Sequence, residues 1–549
     1  MYTYYNMTIC RKKQGNKVYL QEYKNIRVNG KVKHIFVRHL GVEGKDGKPI
    51  KKPTHALDKI SFSKTQFYGA TSVLWNICKE LNLENLINEN IHCTEGFSVG
   101  KLVLASAINK VIKPLRFRKI PNWIKRTNLA ELMNYDDDVF AKHNLLRALD
   151  AICDIKDGVE YDYSQKIEKA IFENQTIIPQ EVFSSVLYDT TPNFYYGETC
   201  PLAEFGFNSK HIKEKQIKVA LCVTKKYHIP IFHFSLKGSM MDTLTSTKTS
   251  QLISDFNIKN PLIVWDRAIT TLATIRWAEE NNFNLLVGLS SKFREVKHFF
   301  QDEINETSEN YLIKSKSGAT YGIMKQVKFF KKKVHILIYV NSEKALKHRT
   351  ERHEKISDAI ELLEKLKNKD KDIKIEVKKI INEVKDFFII THIKKTFSYK
   401  LNQNKIQEAE KCDGKSAILC TDKEFSKKEI ITTYFEKNEV ERAFRVLKDS
   451  LDMDNINHRL PTRVKAYFFI CYLSYLLYSI LEYKLRIAGI QESVEDIIDK
   501  LHHVEKLKLK YGKQTKDVLL NLGEDEREIL NKLKMGSLIL VDHIERPNL

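Results

Sequence analysis

Apolar and polar residues alternate along the first 42 positions of this 549-residue chain. A period of two indicates β-strands, because successive strand side chains point to opposite faces of a sheet. The pair Asn29-Gly30, between two alternating segments, is a strong hairpin signal. The pattern predicts a small β region within residues 1–60, with alternating segments at 2–7, 17–23 and 32–40 and a polar linker at 41–53.

Apolar residues recur at helical spacing after this linker, as far as about residue 180. The first helix of this kind is marked by Val73, Leu74, Ile77, Leu81 and Ile87. A spacing of three to four residues places such side chains on one face of a helix. The pattern predicts a mainly helical region at residues 61–180.

Strand and helix patterns then alternate between residues 181 and 290. The order is three strands, a helix, a strand, a helix and a strand, at residues 183–189, 217–224, 229–235, 247–257, 261–266, 270–281 and 284–289. This order predicts an α/β fold with a mixed sheet and flanking helices.

The pattern breaks between residues 291 and 421. Two lysine-rich strands, at 324–330 and 334–340, precede a highly charged helix with Ser342 as its N-cap. A narrow apolar stripe on that helix resembles the seam of a helical hairpin or coiled coil, and it consists of Ile356, Ala359, Leu363 and Leu366. We interpret residues 291–421 as an α+β insertion into the α/β unit, which resumes with a strand at 416–420.

The segment from Tyr434 to Leu451 has a helical period and two distinct faces. At about 100° per residue, one apolar stripe faces a core and consists of Val440, Phe444, Leu447 and Leu451. A second stripe lies beside it and consists of Tyr434, Lys437, Glu441 and Lys448. Its carboxylate is suited to bind a metal and its cations to hold a phosphate. The alternative is a solvated face with an i,i+4 Lys–Glu pair.

An uncharged apolar run of 16 residues, 466–481, follows this segment. A bilayer span needs about 20 residues, and the run contains four tyrosines and two serines. We therefore predict a buried core helix at 461–487 rather than a membrane span. The pattern at 493–535 predicts a polar helical tail, and residues 491–549 are a candidate for dimerisation.

Positive charge is in large excess, with 91 Lys and Arg against 70 Asp and Glu and a formal net charge of +21. Such an excess indicates a polyanionic partner, either nucleic acid or an anionic membrane surface. The 20 glycines and 11 prolines are too few for a largely disordered chain.

The start of the sequence lacks a basic segment followed by an apolar one, which is the pattern of a secretory signal. The nine cysteines are scattered and form no Cys-x-x-Cys pair. We therefore expect a cytoplasmic protein with reduced thiols, without a zinc site or disulfide framework.

Six cations surround Phe117 and Trp123 between residues 113 and 126. Basic residues interleaved with aromatic ones suit contact with phosphates, and the alternative is a solvated loop around one buried tryptophan. The candidate phosphate-binding residues here are Arg116, Arg118, Lys119, Lys125 and Arg126.

Three acids are candidates for catalysis. Asp189 and Asp266 each end an apolar run, and ligands bind at the carboxyl ends of strands in open α/β sheets. A helix N-cap or turn residue is the alternative for either. Together with Glu441 they supply the oxygen ligands that Mg²⁺ prefers. Two such ions about 3.5–4 Å apart serve in-line displacement at phosphorus.

These features resemble the DDE-type insertion-sequence transposases of bacteria, in particular the group with a Tyr-x2-Arg-x3-Glu-x6-Lys signature. Tyr434, Lys437, Glu441 and Lys448 have all its spacings, with a lysine at the arginine position. Lysine keeps the charge but loses bidentate phosphate recognition. The resemblance covers about residues 100–485 and includes the aspartates of Leu-Tyr-Asp189-Thr-Thr and Ile-Val-Trp-Asp266-Arg and the stretches 206–210, 238–242 and 458–459.

The resemblance implies an RNase H-like catalytic core in two parts, residues 181–290 and 422–490. In it Asp189, Asp266 and Glu441 would bind two Mg²⁺ (or Mn²⁺) ions. The phosphates beside the cleaved bond would be held by Tyr434, Lys437 and Lys448. Residues 61–180 would bind DNA ends through the basic segment.

The implied activity is cut-and-paste transposition. Water cleaves a phosphodiester at the transposon end, and the freed 3′-hydroxyl attacks target DNA. The expected partners are double-stranded DNA with terminal inverted repeats, target DNA and a second copy of the chain in a synaptic dimer, with no membrane. The alternatives are an RNase H-like nuclease without strand transfer and a repurposed transposase that binds DNA without cutting it.

Overall fold

A computed structural model describes residues 6–28, 31–50, 60–62, 64–91, 96–208, 213–258, 261–291, 293–315, 318–329, 332–367, 374–393, 396–511 and 514–539. The predicted turn at Asn29-Gly30 and the end of the predicted linker, residues 51–53, lie outside these residues. Contacts divide the chain into two compact units. One consists of Met1–Phe67, Val504–Leu530 and Met535–Leu549, and the other consists of Tyr68–His503 and Asn531–Lys534.

The N-terminal β region is an antiparallel sheet in chain order, as its period-two pattern predicts. Its strands are β1 (Asn6–Gln14), β2 (Lys17–Val28), β3 (Lys31–Glu43) and β4 (Pro49–Ile50). Gly15 lies in the turn between β1 and β2 with φ of +57°, a conformation that glycine adopts without strain. Two short strands follow, β5 (Ile60–Phe62) and β6 (Gln66–Phe67).

The region that follows is mainly helical, which confirms the prediction for it. Its elements are α1 (Gly69–Glu80), α2 (Leu83–Asn90), α3 (Val99–Ile112), α4 (Ile120–Ile124), α5 (Leu129–Leu132), α6 (Lys142–Ile152), β7 (Cys153–Lys156), β8 (Val159–Asp162) and α7 (Ser164–Asn174). The hairpin of β7 and β8 was not expected from the helical pattern. Ser98 caps α3 by accepting a hydrogen bond from the Lys101 amide.

The α/β segment forms the strands and helices that its pattern predicts. They are β9 (Ser185–Phe194), β10 (Glu204–Phe205), β11 (Lys215–Thr224), β12 (Pro230–Lys237), α8 (Asp242–Asp255), β13 (Leu262–Trp265), α9 (Leu272–Glu280) and β14 (Asn284–Leu289). β9, β13 and β14 are parallel neighbours, and β11 pairs antiparallel with both β9 and β12. The sheet is therefore mixed, and its buried apolar strands confirm the predicted class.

The predicted insertion is divided between this sheet and a separate helical body. Its elements are α10 (Arg294–Lys297), β15 (Tyr311–Ser315), β16 (Gly318–Phe329), β17 (Lys332–Asn341), α11 (Ser342–Lys367), α12 (Lys374–Ile380), β18 (Phe388–Ile393), β19 (Thr396–Leu401), α13 (Gln403–Glu410) and β20 (Lys415–Cys420). The treatment of residues 291–421 as one insertion is wrong for β15, β16 and β17. They extend the main sheet in the order β14-β20-β17-β16-β15, because β20 pairs with both β14 and β17.

The helical body of the insertion has its own apolar core. The predicted stripe of α11 is buried there against α12, α13 and the β18–β19 hairpin, in a cluster that includes Ile356, Ala359, Leu363, Leu366, Val377, Phe388, Phe397 and Ile406. The apolar spacing on the charged helix therefore marks a real packing seam.

The last part of the larger unit contains α14 (Lys427–Phe435), α15 (Glu439–Arg445), α16 (Pro461–Ile487) and α17 (Val494–His502). By length and composition α16 could cross a membrane, but 94% of its apolar window is buried inside the protein. It packs against α3, α6 and β12. The prediction of a buried core helix is therefore confirmed.

The predicted polar helical tail is wrong between residues 505 and 520. A hairpin of β21 (Glu505–Tyr511) and β22 (Gln514–Leu520) separates α17 from α18 (Glu524–Lys532), and β21 also pairs with β5 and β6. The sequence Lys506-Leu-Lys-Leu-Lys-Tyr511 alternates with a period of two, which is the strand signal that the polar composition of the segment obscured.

Candidate active site

The two aspartates lie on adjacent parallel strands. β9 and β13 pair with Leu187 opposite Val264. This is the last pair of the register, and Asp189 and Asp266 each follow it by two positions, at the same end of the two strands. Neighbouring strands are about 4.8 Å apart. The structure thus places the two candidate acids at the same edge of two neighbouring strands.

Asp189 does not end its strand, contrary to the prediction. β9 continues to Phe194 because its later residues remain paired with β11, where Asp189 lies opposite Leu221. It is β13 that ends, at Trp265, immediately before Asp266. Asp189 is half-buried at the level where the neighbouring strand stops, and one of its carboxylate oxygens accepts a hydrogen bond of 2.8 Å from the Thr190 amide.

Asp266 is held by two side chains from the segment that the sequence singled out. Lys437 Nζ lies 3.3 Å from Asp266 Oδ1. Tyr434 donates a hydrogen bond of 3.2 Å to the same oxygen, and the Arg267 amide donates one of 2.6 Å. Burial acts to raise the pKa of Asp266, but Lys437 and these hydrogen bonds outweigh it and lower the pKa below its usual range. The carboxylate is therefore ionised at neutral pH.

Tyr434 is fixed by its surroundings. Its side chain is 6% exposed, and Lys437 Nζ lies 5.2 Å from its ring centre. Burial, followed by the charge of Asp266, raises the pKa of its hydroxyl, so the hydroxyl remains a proton donor. Gly288 on β14 provides the space, because a Cβ there would lie 2.3 Å from the Tyr434 hydroxyl oxygen.

A cavity of about 380 Å³ opens beside Asp266 on the side of β14, β17 and β20. Its charged lining residues are Asp266, Arg267, Lys344 and Lys437, and Tyr339 and Tyr434 supply aromatic walls. Burial and the nearby Arg267 lower the pKa of Lys344. Sequence analysis missed Arg267, Gly288, Tyr339 and Lys344. Only Arg267, which follows the candidate aspartate directly, carried a local signal.

The period of the segment that carries Glu441 predicts one uniform helix, but the structure divides this segment into several helical parts. α14 ends at Phe435, a 3₁₀ turn covers Glu436–Asn438, and α15 continues into a π-helical segment at Val446–Ser450. The Leu451 amide donates to the Val446 carbonyl at 2.9 Å, which inserts one extra residue into that turn. The apolar stripe is nevertheless buried as predicted, at Val440, Phe444, Leu447 and Leu451.

Glu441 and Lys448 are placed near β9 by this segment. α15 packs against β9, and Glu441 is exposed on it. Lys448 Nζ donates a hydrogen bond of 2.6 Å to the carbonyl of Pro192, three residues beyond Asp189. It also lies 3.8 Å from Asp454. Lys448 thus ties its segment to the strand that carries the first aspartate.

The three acids supply oxygen ligands alone, which fits a hard cation such as Mg²⁺. In the described part of the chain, one group of three candidate ligands has its atoms within 4.8 Å of one another, and it consists of Cys153, Glu160 and Asp162. Burial raises the pKa of the Cys153 thiol, which disfavours the thiolate that binds metals. Asp189, Asp266 and Glu441 are not so close together, and Lys437 is the cation beside Asp266.

The structure separates the residues of the basic segment. Arg116 and Arg118 are exposed and line a second cavity, while Lys119 and Arg126 are exposed outside it. Lys125 lies 3.8 Å from Asp138. The tryptophan between them, Trp123, is buried. The arginines that line the cavity therefore remain candidates for phosphate contact, and the rest of the segment fits a solvated loop around one buried tryptophan.

A family model described as a transposase DDE domain matches residues 202–477, about half of the chain. The match includes Asp266, Glu441 and the signature positions between them, and it begins after Asp189. Among solved structures, a cryo-EM structure of a piggyBac transposase synaptic complex with hairpin DNA is similar with a TM-score of 0.41 and 9% sequence identity, over 79% of this chain and 78% of that chain. No curated protein matches the chain.

Proposed function

The chain belongs to the transposase DDE domain family, and on that premise we propose that it cleaves DNA at transposon ends and joins the ends to target DNA. The observation that carries the proposal is the parallel pairing of β9 and β13, which makes the strand that contains Asp189 the neighbour of the strand that ends before Asp266. α15 packs against β9 and adds Glu441. The formal net charge of +21 suits a DNA partner.

Finer assignments are part of the same proposal. The sheet has its first strand, β9, at the centre of the order β12-β11-β9-β13-β14, and this arrangement supports an RNase H-like core. The spacing of Tyr434, Lys437, Glu441 and Lys448 supports a bacterial insertion sequence of the Tyr-Arg-Glu-Lys group, with lysine at its second position. We place the protein in the cytoplasm, at the nucleoid.

Asp189, Asp266 and Glu441 would hold two Mg²⁺ or Mn²⁺ ions. Bound there, the ions would activate the attacking oxygen and stabilise the leaving oxygen of a displacement at phosphorus. The same residues serve hydrolysis and strand transfer, because both reactions displace an oxygen at phosphorus.

The neighbouring side chains prepare the acids for this role. Lys437 neutralises Asp266 in the protein alone, at 3.3 Å. With a cation bound at Asp266, the ammonium of Lys437 would be available for a phosphate of the DNA. Tyr434 keeps the other hydrogen bond to Asp266 and preserves the orientation of its carboxylate. Lys448 holds the helical segment against β9.

The test is an assay for metal-dependent nicking of a DNA duplex that carries the element's ends. Asp189→Asn, Asp266→Asn and Glu441→Gln should each abolish nicking while DNA binding persists. Matched controls are Glu439→Gln, an exposed acid on the same helix, and Asp255→Asn, an exposed acid on α8. Nicking by all three variants at the parent rate would refute the proposal.

A joining assay separates the alternatives. A pre-cut end with a free 3′-hydroxyl should be joined to target DNA in the presence of Mg²⁺. Nicking without joined product would indicate a nuclease without strand transfer. DNA binding that is unchanged by a chelator, with no cleavage of any substrate, would indicate a repurposed DNA-binding protein. Sedimentation of the protein on end DNA tests the proposed synaptic dimer.

A further inference from the structure

A second cavity of about 380 Å³ lies between the basic segment and the loop that leads into α16. We call it the Arg459 cavity. One wall is formed by Arg116, Phe117, Arg118, Lys142 and Leu146, and the other by Asn457, His458, Arg459, Leu460 and Arg463. It contains none of the three candidate acids. Its two walls come from parts of the chain more than 300 residues apart, so the sequence pattern did not connect them.

The cavity has a concentrated positive charge. Among its five cations, Arg463 makes two hydrogen bonds to Asp150, at 2.7 and 2.8 Å. Arg116, Arg118, Lys142 and Arg459 are exposed, and none of them pairs with a carboxylate in the part of the chain that the structure describes. Four uncompensated cations around one concave surface attract an anion strongly.

The start of α16 adds to this charge. Its N-cap is Leu460, which offers no side-chain acceptor, and its first residue is Pro461. The first amide groups of this 27-residue helix therefore have no side-chain cap from this position, and Leu460 and Arg463 of the same turn line the cavity. Peptide N–H groups at a helix N-terminus bind phosphate in many proteins.

His458 is a second sign of a ligand. Its side chain is 8% exposed and lines the cavity, and its Nε2 has no hydrogen-bond partner within the described residues. Buried polar atoms are normally hydrogen-bonded. The ring is held edge-on against Phe117, with ring centres 4.9 Å apart. An unsatisfied ring nitrogen in a basic cavity is consistent with an oxygen-bearing ligand.

The loop behind the cavity is fastened to the end of β9, the strand that contains Asp189, and to α3. Tyr195, just past the end of β9, donates a hydrogen bond of 3.1 Å to the carbonyl of His458. Lys110 donates to the carbonyls of Leu451 and Asp452, at 2.8 and 3.2 Å. Tyr195 follows Asp189 by six positions, which is about 20 Å of extended chain. About six base pairs of duplex DNA rise over that length.

We propose that the Arg459 cavity binds a backbone phosphate of the DNA and so sets the duplex at a fixed distance from the catalytic acids. The inference rests on the proposed function, because it takes DNA to be the substrate. Within the basic segment it assigns this contact to Arg116 and Arg118 and not to Lys119, Lys125 or Arg126. Lys142, His458 and Arg459 join the site from elsewhere in the chain.

A DNA backbone fits the cavity better than a free phosphate ion. Both share the same chemistry of phosphate oxygens. The four cations without carboxylate partners are exposed on two separate walls, and such an array matches several successive phosphates of a strand better than one small ion.

The experiment measures the affinity of the full-length protein for a fluorescent DNA duplex over a salt series. The logarithm of the association constant falls linearly with the logarithm of the salt concentration. Arg116→Ala and Arg459→Ala should each make this negative slope shallower by about 0.9, and the double variant by about 1.8. Between about 50 and 200 mM salt, each removed contact should make the loss of affinity about 3.5-fold smaller, because fourfold more salt to the power 0.9 is about 3.5. Arg126→Ala is the matched control, an exposed arginine of the same segment outside the cavity, and it should leave the slope unchanged.

Three outcomes would overturn the inference. Equal slopes for parent and cavity variants would show that no phosphate is bound there. An equal loss in Arg126→Ala would show diffuse attraction instead of a site. Calorimetric binding of inorganic phosphate that Arg459→Ala abolishes, with DNA affinity unchanged, would identify a small-anion site. These results are independent of nicking by the Asp189, Asp266 and Glu441 variants, so failure of the site and failure of the proposed function are distinguishable.

Discussion

At the residue scale, the lysine at position 437 suits the contact that the structure shows. Its ammonium group approaches a single oxygen of Asp266 at 3.3 Å. An arginine would present a planar fork that binds both carboxylate oxygens. Such a pair would compete more strongly with a cation for Asp266. Lysine therefore keeps a positive charge at this position while holding the aspartate less tightly.

Gly288→Ala should disturb the candidate site without touching an acid. The new Cβ would lie 2.3 Å from the Tyr434 hydroxyl oxygen. Overpacking of this kind costs about 1–3 kcal/mol, and it should also slow nicking because the hydrogen bond to Asp266 is displaced. Thermal unfolding and the nicking rate measure the two effects.

The control for this change is the double variant Gly288→Ala/Tyr434→Phe. Without the hydroxyl oxygen the alanine meets Arg267 first, at 3.1 Å from its Cβ and 3.2 Å from its amide nitrogen. Gly288→Ala should therefore lower the melting temperature less in the Tyr434→Phe background than in the parent. An equal loss in both backgrounds would contradict the proposed clash.

His458 should make the protein less stable in acid. Burial, with Arg463 and Lys110 nearby, lowers the pKa of His458 to about 4, and Asp150 opposes the shift. Below the ordinary pKa of histidine, the unfolded chain binds a proton at this residue and the folded protein does not. The free energy of unfolding is therefore undiminished above that range and falls as the pH falls toward 4. Relative to His458→Gln, the parent should lose about 3 kcal/mol between pH 7 and pH 4. Melting temperatures of both proteins over this range are the measurement. Parallel curves would contradict the shift.

At the element scale, the π-helical segment at Val446–Ser450 changes the position of Lys448. One extra residue in the turn shifts Lys448 relative to the α-helical stripe on which Glu441 lies. Lys448 can then donate to the carbonyl of Pro192 on β9 while Leu447 and Leu451 remain buried.

The helical body of the insertion is joined to its base by a buried ion pair. Arg352 on α11 donates two hydrogen bonds, of 2.6 and 2.7 Å, to Asp413, and the two residues are 8% and 7% exposed. Asp413→Leu should destabilise this body by about 3–5 kcal/mol, because it removes both hydrogen bonds of the buried guanidinium and leaves it only Glu410, at 3.9 Å. Hydrogen exchange of α11 and α13 is the measurement.

The double variant Arg352→Met/Asp413→Leu should recover most of this loss, since apolar replacement of both partners removes the unpaired charge. Glu383→Gln is the control, because its pair with Lys355 is exposed and its removal should not change exchange. A double variant that exchanges as fast as Asp413→Leu alone would contradict the argument.

At the scale of the whole molecule, both ends of the chain contribute to the smaller unit. β21 pairs with β5 through Leu509 and Phe62, and with β6 through Glu505 and Phe67. Two short strands near the start of the chain thus depend on a hairpin near its end for their backbone hydrogen bonds. Short strands of this length are not stable alone in water.

A protein that ends at His503 should therefore lose the structure of β5 and β6. Their amides should exchange with solvent much faster than in the parent, because their strand partners are missing. α1, which belongs to the larger unit and begins at Gly69, should exchange as before. Unchanged protection at residues 60–62 would contradict the pairing.

The sequence by itself determined the class of the protein and most of its elements. Period-two and helical spacings located the N-terminal strands, the α/β order and α16, since burial of one face leaves a local pattern. The end of the strand before Asp266 was likewise a local signal, and so was the spacing of Tyr434, Lys437, Glu441 and Lys448. The hairpin at residues 505–520 was readable in the same way, but its lysines obscured it.

Only the tertiary structure decided which distant segments meet. Strand pairing depends on hydrogen bonds summed along a whole partner strand, so the membership of β15–β17 in the main sheet had no local signal. The same holds for the partnership of Lys437 with Asp266, the space that Gly288 leaves for Tyr434, and the meeting of Arg116 with Arg459. Each joins residues whose separation in the chain hides their contact, and each is an electrostatic or steric fact that exists only after folding.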